Sequence, residues 1–211
     1  MSGYGYGQSG FATGYPGSYP SAQPYPRGVV PPPTAGMYPQ SGPVYPQSGP
    51  VNPGGRVYHR VVEWQDASHG RVPVGNPVIG GQDVNGEPLY IGSTELGGDL
   101  VPGKVVPSHG CCYIPYDGRE HSSKNYHVLV NPGGCELIWI HASNGTVPTG
   151  AIQGGKTASG EPLFVGRHRH QGSVTVGKVH PSHGKLYLSF GGNEESYSEY
   201  EVLCCKHVSL M

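Results

Sequence analysis

Apolar and polar residues alternate in this chain over short runs only. Lys185-Leu186-Tyr187-Leu188-Ser189-Phe190 changes side at every step, which is the period of a half-buried strand. Leu89-Tyr90-Ile91 and Leu137-Ile138-Trp139-Ile140 are short apolar runs bounded by Gly, Pro, Asn and Asp, as strands closed by turns should be. Glycine recurs every few residues, and no twelve-residue stretch keeps a helical period. The pattern predicts an all-β protein.

The same pattern occurs twice. Trp64 and Ala67-Ser68-x-Gly70-x-Val72-Pro73-x-Gly75 return as Trp139 and Ala142-Ser143-x-Gly145-x-Val147-Pro148-x-Gly150. After a one-residue slip the offset is 74: Gly86-Glu87-Pro88-Leu89 returns as Gly160-Glu161-Pro162-Leu163, and Gly103-Lys104-Val105-x-Pro107-Ser108-His109-Gly110 as Gly177-Lys178-Val179-x-Pro181-Ser182-His183-Gly184. Repetition at this length marks a duplication. Two units are too few for a propeller and too long for a solenoid. They predict a sandwich- or prism-like β domain with a pseudo-twofold axis, with repeats over 56–131 and 132–211.

Residues 1–55 read differently. They hold 12 Gly, 12 Pro and seven Tyr against one charge, Arg27, and repeat Tyr-Pro-Gln-Ser-Gly-Pro-Val directly at 38–44 and 45–51. Too little apolar area is available to offset the entropy of ordering, so a disordered tail is expected. It is expected to serve as a spacer or a self-associating segment, and its two PxxP stretches, 43–46 and 50–53, are weak evidence for an SH3-type partner.

Charge and cysteine narrow the function classes. Charged residues are 13% and the net charge is −1. That argues against binding nucleic acid or an anionic membrane through a basic surface. No apolar run is long enough to span a bilayer as a helix. The first residues, Met1-Ser2-Gly3-Tyr4-Gly5-Tyr6, do not read as a signal peptide. A cytoplasmic chain with reduced thiols is expected, leaderless export remaining open. Cys111-Cys112, Cys135 and Cys204-Cys205 form an odd set without a CxxC. This is a poor framework for disulfides or zinc, and buried thiols are the expectation.

The repeated residues divide into scaffold and candidate chemistry. The glycines and prolines set turns, and Trp64 and Trp139 are expected as core anchors. His109 and His183 lack a nucleophile or a third partner, and His168 and His170 lack a third metal ligand. No catalytic motif and no phosphate loop is present, so the chain reads as a non-enzyme without metal or cofactor. Lys104 and Lys178 stand out, because a charge-poor body keeps a lysine at one place in both halves. A structural ion pair is one explanation and ligand contact the other. Lys104 is expected to be at least partly solvated. Glu87 and Glu161 are expected to bond a turn backbone or a nearby cation, with a supporting ligand role as the alternative. Asp83, 21 residues before Lys104, has Thr157 as its counterpart.

The paired W-x-x-A-S-x-G-x-V-P-x-G, G-E-P-L-[YF]-[VI]-G and G-K-V-x-P-S-H-G units resemble the DM-nine repeat family and the lectin-like modules of natterins, from residue 57 to about 208. The resemblance implies a pseudo-twofold all-β fold and a mannose-type lectin of recognition or agglutination. It places the sugar contacts at Asp83 and Lys104. In the second repeat Lys178 matches and Thr157 does not. Vicinal hydroxyls suit such a pair, since a carboxylate accepts from them and an ammonium donates to them. Tyr90, Tyr113 or a tryptophan would supply an apolar face, and calcium is not required. Weak single-site affinity implies a homodimer or higher assembly. The rival class is an intracellular scaffold, whose β body binds protein and whose tail self-associates.

Overall fold

The computed structural model describes residues 62–206. The tail and its PxxP stretches lie outside them. The described residues contain fourteen strands and no α-helix. The first seven are β1 (Glu63–Ser68), β2 (Ile79–Gln82), β3 (Pro88–Leu96), β4 (Asp99–Val106), β5 (Cys111–Tyr116), β6 (Arg119–Ser123) and β7 (Asn125–Val130). The next seven repeat the series: β8 (Leu137–Ser143), β9 (Gln153–Lys156), β10 (Pro162–His170), β11 (Ser173–His180), β12 (Lys185–Phe190), β13 (Asn193–Tyr197) and β14 (Glu199–Cys205). The all-β expectation is met.

The halves do more than pack face to face. All fourteen strands join one antiparallel sheet, in the order β1-β7-β3-β2-β11-β12-β13-β6-β5-β4-β9-β10-β14-β8, closed further by β3–β4 and β11–β10. Three junctions cross between the repeats. Gln82 of β2 pairs with Val174 of β11, and Lys156 of β9 pairs with Leu100 of β4. These are one junction and its pseudo-twofold image. Arg119 of β6 pairs with Asn193 of β13, its own counterpart, so that junction lies on the axis.

Close approach at these junctions explains part of the glycine content. A Cβ on Gly81 would collide with the Val174 carbonyl, and one on Gly155 with that of Leu100. The backbones meet there only because neither residue has a side chain.

Each repeat buries its own cluster, and a third lies between them. Val101, Val105, Cys112, Ile114, Tyr126 and Val128 fill the first. Their counterparts Val179, Leu186, Leu188, Tyr200 and Val202, with Ala142 and Cys204, fill the second. Ile91, Leu129, Ile152, Val165, Val176 and Leu203 form the shared core, against which Trp64 and Trp139 both pack. The tryptophans are core anchors, as expected.

One expectation fails. Cys111, Cys112 and Cys204 are buried free thiols, and burial pushes Cys204 and, further, Cys112 above the usual thiol range. Cys135 and Cys205, however, are joined by a disulfide across a Cα–Cα separation of 6.6 Å. Cys135 lies in the segment entering β8 and Cys205 closes β14. The β8–β14 ladder, which pairs Leu137 with Cys205, brings together two cysteines 70 residues apart. Counting and spacing hid a pair that only strand register creates.

Candidate functional site

The Gly-Lys motif places its lysine on β4, where Lys104 pairs with Tyr113 of β5. The side chain points into the junction between repeats. Only 8% of Lys104 and 7% of Lys178 is exposed, so the expectation of a solvated lysine is corrected. A long cation is tolerated there because a carbonyl and a carboxylate engage its head. The Lys104 ammonium donates to the Ser189 carbonyl at 2.7 Å and lies 3.5 Å from the Glu120 carboxylate. The rings of Phe190 and Tyr113 flank it at 5.2 and 5.8 Å.

Lys178 repeats the arrangement with the halves exchanged. It donates to the Pro115 carbonyl at 2.8 Å, pairs with Glu194 at 3.0 Å, and lies between Tyr187 and Tyr116 at 5.2 and 5.5 Å. The two carboxylates also reach across the axis. Glu120 accepts from the Gly192 amide at 2.8 Å, and Glu194 from the Gly118 amide at 2.6 Å. Each Lys–Glu pair therefore ties its own repeat to the other.

Asp83 heads the turn after β2. Its amide donates to the Glu87 carbonyl at 2.8 Å, its carbonyl accepts from Gly86 at 3.0 Å, and its carboxylate accepts from the Val84 amide at 2.8 Å. Gly86 adopts φ +90°, the left-handed conformation that closes the turn. Burial lowers the Lys104 pKa, and the charges of Glu120 and then Asp83 oppose that shift. Asp83 thus stands within electrostatic reach of the ammonium while Glu120 forms the ion pair.

The second turn keeps the backbone and changes the chemistry. Thr157 bonds Glu161 and Gly160 through its backbone as Asp83 bonds Glu87 and Gly86. Its hydroxyl accepts from the Glu161 amide at 3.0 Å and shares a hydrogen bond with Ser159 at 2.9 Å. In the first turn Asn85, not Asp83, accepts from the corresponding Glu87 amide, at 2.9 Å.

Glu87 and Glu161 brace the turns. Glu87 accepts from the amide and hydroxyl of Ser108, and Glu161 from those of Ser182 and from His180. These bonds hold both carboxyls below the usual carboxylate range. The structure uses them for turn bonding. His109 and His183 bond the hydroxyls of Tyr113 and Tyr187 at 3.1 and 3.2 Å. Burial, first among several causes, raises Tyr113 to about 12.

Sequence reasoning missed Glu120 and Glu194. Their signal was present, since each follows its Gly-Lys lysine by 16 residues in its own repeat. It also missed that Phe190 and Tyr116 complete the box from the opposite repeat.

The comparisons agree with this architecture. The DM9 repeat matches twice, over residues 57–123 and 93–197. Natterin-4 of Thalassophryne nattereri is 34% identical over 103 residues, which are 48% of this chain and 24% of that protein. Natterin-3 of the same species is 33% identical over 93 residues, 44% of this chain and 23% of that protein. The chain thus spans about a quarter of the length of the natterins it matches. Among solved structures, the nematode sperm cell motility protein MFP2B superposes with a TM-score of 0.57 at 18% identity. That match covers 82% of this chain and 55% of that one, and at this identity it speaks to the fold.

Proposed function

The chain belongs to the DM9 repeat family, and from that premise we propose that it is a carbohydrate-binding protein of lectin type, with mannose-bearing glycans as ligands and no catalytic turnover. The observation that supports the reading is that Lys104 lies between two aromatic rings and within electrostatic reach of Asp83. An ammonium has three donors. Ser189 and Glu120 engage two, leaving one for an incoming hydroxyl. The Asp83 carboxylate accepts from the adjacent hydroxyl of the same diol, and both bonds are charge-assisted. The first repeat carries the stronger site, because Thr157 has a hydroxyl where Asp83 has a charge.

A monosaccharide of about 12 heavy atoms, at about −0.3 kcal/mol each, binds near millimolar. Useful avidity then calls for a dimer or larger assembly. The Cys135–Cys205 disulfide suits an oxidising compartment, where such a lectin meets its glycans.

The test is a mannose titration by calorimetry on the wild type and on Asp83→Asn. A hydrogen bond to a charged group is worth about 1.5–3 kcal/mol, so the variant should bind roughly 10- to 150-fold more weakly. Unchanged binding would remove Asp83 from the site. A flat glycan array together with a specific protein captured by the β body would favour the scaffold reading instead.

A further inference from the structure

A groove of about 560 Å³ opens between β1, β3, β6 and β7, lined by Asp66, Ser68, Thr94, Glu95, Ser123 and His127 among others. It shares no residue with the surroundings of Lys104 described above. Its volume falls within the range of small-ligand sites.

The pseudo-twofold explains why it is open. The positions of Thr94 and Ser123 are held in the second repeat by His168 and Tyr197. Those two rings stack at 4.0 Å between centroids, and the His170 ring packs edge-on against the same tyrosine. The second repeat thus places two packed rings at the positions where the first has two small hydroxyl side chains. The charges are also rearranged, since Asn125 and His127 correspond to Glu199 and Glu201. Asp66 corresponds to His141, and Glu95 to Arg169. Two homologous surfaces have diverged in side-chain size and in where their carboxylates sit.

The first-repeat lining sets the ligand chemistry. Two carboxylates face the groove and no lysine or arginine lines it. The Asp66 side chain is 91% exposed, and one oxygen holds His127 at 2.7 Å. Ser68 and Asn125 add a hydroxyl and an amide, which pair with hydroxyls in either direction, while the Thr94 and Ser123 hydroxyls already donate to the Asn125 carbonyl and offer acceptor capacity only. An ammonium satisfies the carboxylates, and ring hydroxyls satisfy the rest. We propose that this groove is a second ligand site, selective for a sugar unit that bears a free, protonated amine.

The test is an NMR titration of the isotope-labelled full chain with glucosamine and, separately, N-acetylglucosamine at about pH 6.5. Glucosamine should shift the amides of residues 66–68, 94–95 and 123–127 saturably, in the millimolar range. N-acetylglucosamine should bind at least about fivefold more weakly, and added salt should weaken the glucosamine response. Asp66→Asn, at an exposed position, should cost about two- to fivefold, the worth of a solvated ion pair. Thr94→His with Ser123→Tyr, which copies the second repeat, should abolish the shifts. Equal binding of the two sugars, or indifference to Asp66→Asn, would overturn the charge argument. Absence of shifts in the groove would overturn the site. Mannose, by the reading above, shifts Asp83 and Lys104 instead, so either proposal can fail while the other stands.

Discussion

The Lys104 ammonium of the first repeat donates to the Ser189 carbonyl of the second at 2.7 Å. The image contact, Lys178 to Pro115 at 2.8 Å, runs the other way. The lysine of each Gly-Lys motif is therefore a clasp between the halves as well as a candidate ligand donor. A family signature can be held by either role; the clasp is the one the geometry displays, and ligand donation is the one proposed.

The clasp makes a stability prediction. Lys104→Met leaves the Glu120 side chain, 12% exposed, without its cation. Breaking a buried pair from one side costs about 3 kcal/mol or more, whereas removing both charges is far milder. Lys104→Met should lower the melting temperature by roughly 6–12 °C, and Lys104→Met with Glu120→Gln should recover more than half of that. Thermal melts of the four proteins in the cycle decide it. Strictly additive losses would mean that the pair contributes no coupling.

The sequence made the strands, turns and duplication legible because each is a local pattern. Alternation fixes which face a residue takes, and Gly86 or Gly160 marks a turn wherever it stands. Partnership across strands is different. Nothing local in Gln82 or Val174 announces that β2 crosses to β11, or in Cys135 that Cys205 lies beside it. The lysines were singled out for their fixed place, and a structural ion pair was one explanation considered, but Asp83 drew attention as the carboxylate. Glu120 holds that position because β6 folds back over β5, which is a fact of topology.

Glu87 and Glu161 predict acid sensitivity. Hydrogen bonds from Ser108 and Ser182 lower their folded pKa values below the unfolded value near 4.5. A carboxyl lowered in the folded state adds stability that is present above its unfolded pKa and lost as pH falls through the folded one. The wild type should therefore lose stability from about pH 5 downward. Glu87→Gln with Glu161→Gln should be less stable at pH 7 and flatter through the acid range. Denaturant midpoints taken between about pH 3 and pH 7 test this. An equally steep acid decline in the double variant would shift the sensitivity to other groups.

The disulfide predicts a redox-dependent melt. Closing a loop of about 70 residues contributes about 4 kcal/mol in the chain-entropy account. Reductant should lower the melting temperature of the wild type by roughly 8–16 °C and leave Cys135→Ser unmoved at the lower value. The buried Cys111, Cys112 and Cys204 should react with a thiol reagent only on unfolding. A wild type indifferent to reductant would show that the ladder, not the covalent bond, holds β14 to β8.

The second turn offers a gain-of-function test. Thr157 occupies the place of Asp83, yet its hydroxyl is already committed to the Glu161 amide. In the first repeat that duty falls to Asn85, whose counterpart is Ser159. Thr157→Asp alone therefore adds the charge and unsettles the turn. Adding Ser159→Asn restores a side-chain acceptor for the amide and leaves the new carboxylate to face Lys178. If the sugar reading holds, the single variant should bind mannose at the second repeat weakly. The double variant should raise the calorimetric stoichiometry from about one to about two per chain. The second-site affinity should rise about 10- to 150-fold over the wild type, the worth of one hydrogen bond to a charge. The melting temperature of the double variant should stay within a few degrees of the parent, since the turn backbone is already shared. A stoichiometry that remains at one in a fully folded double variant would mean that Lys178 serves only as the clasp.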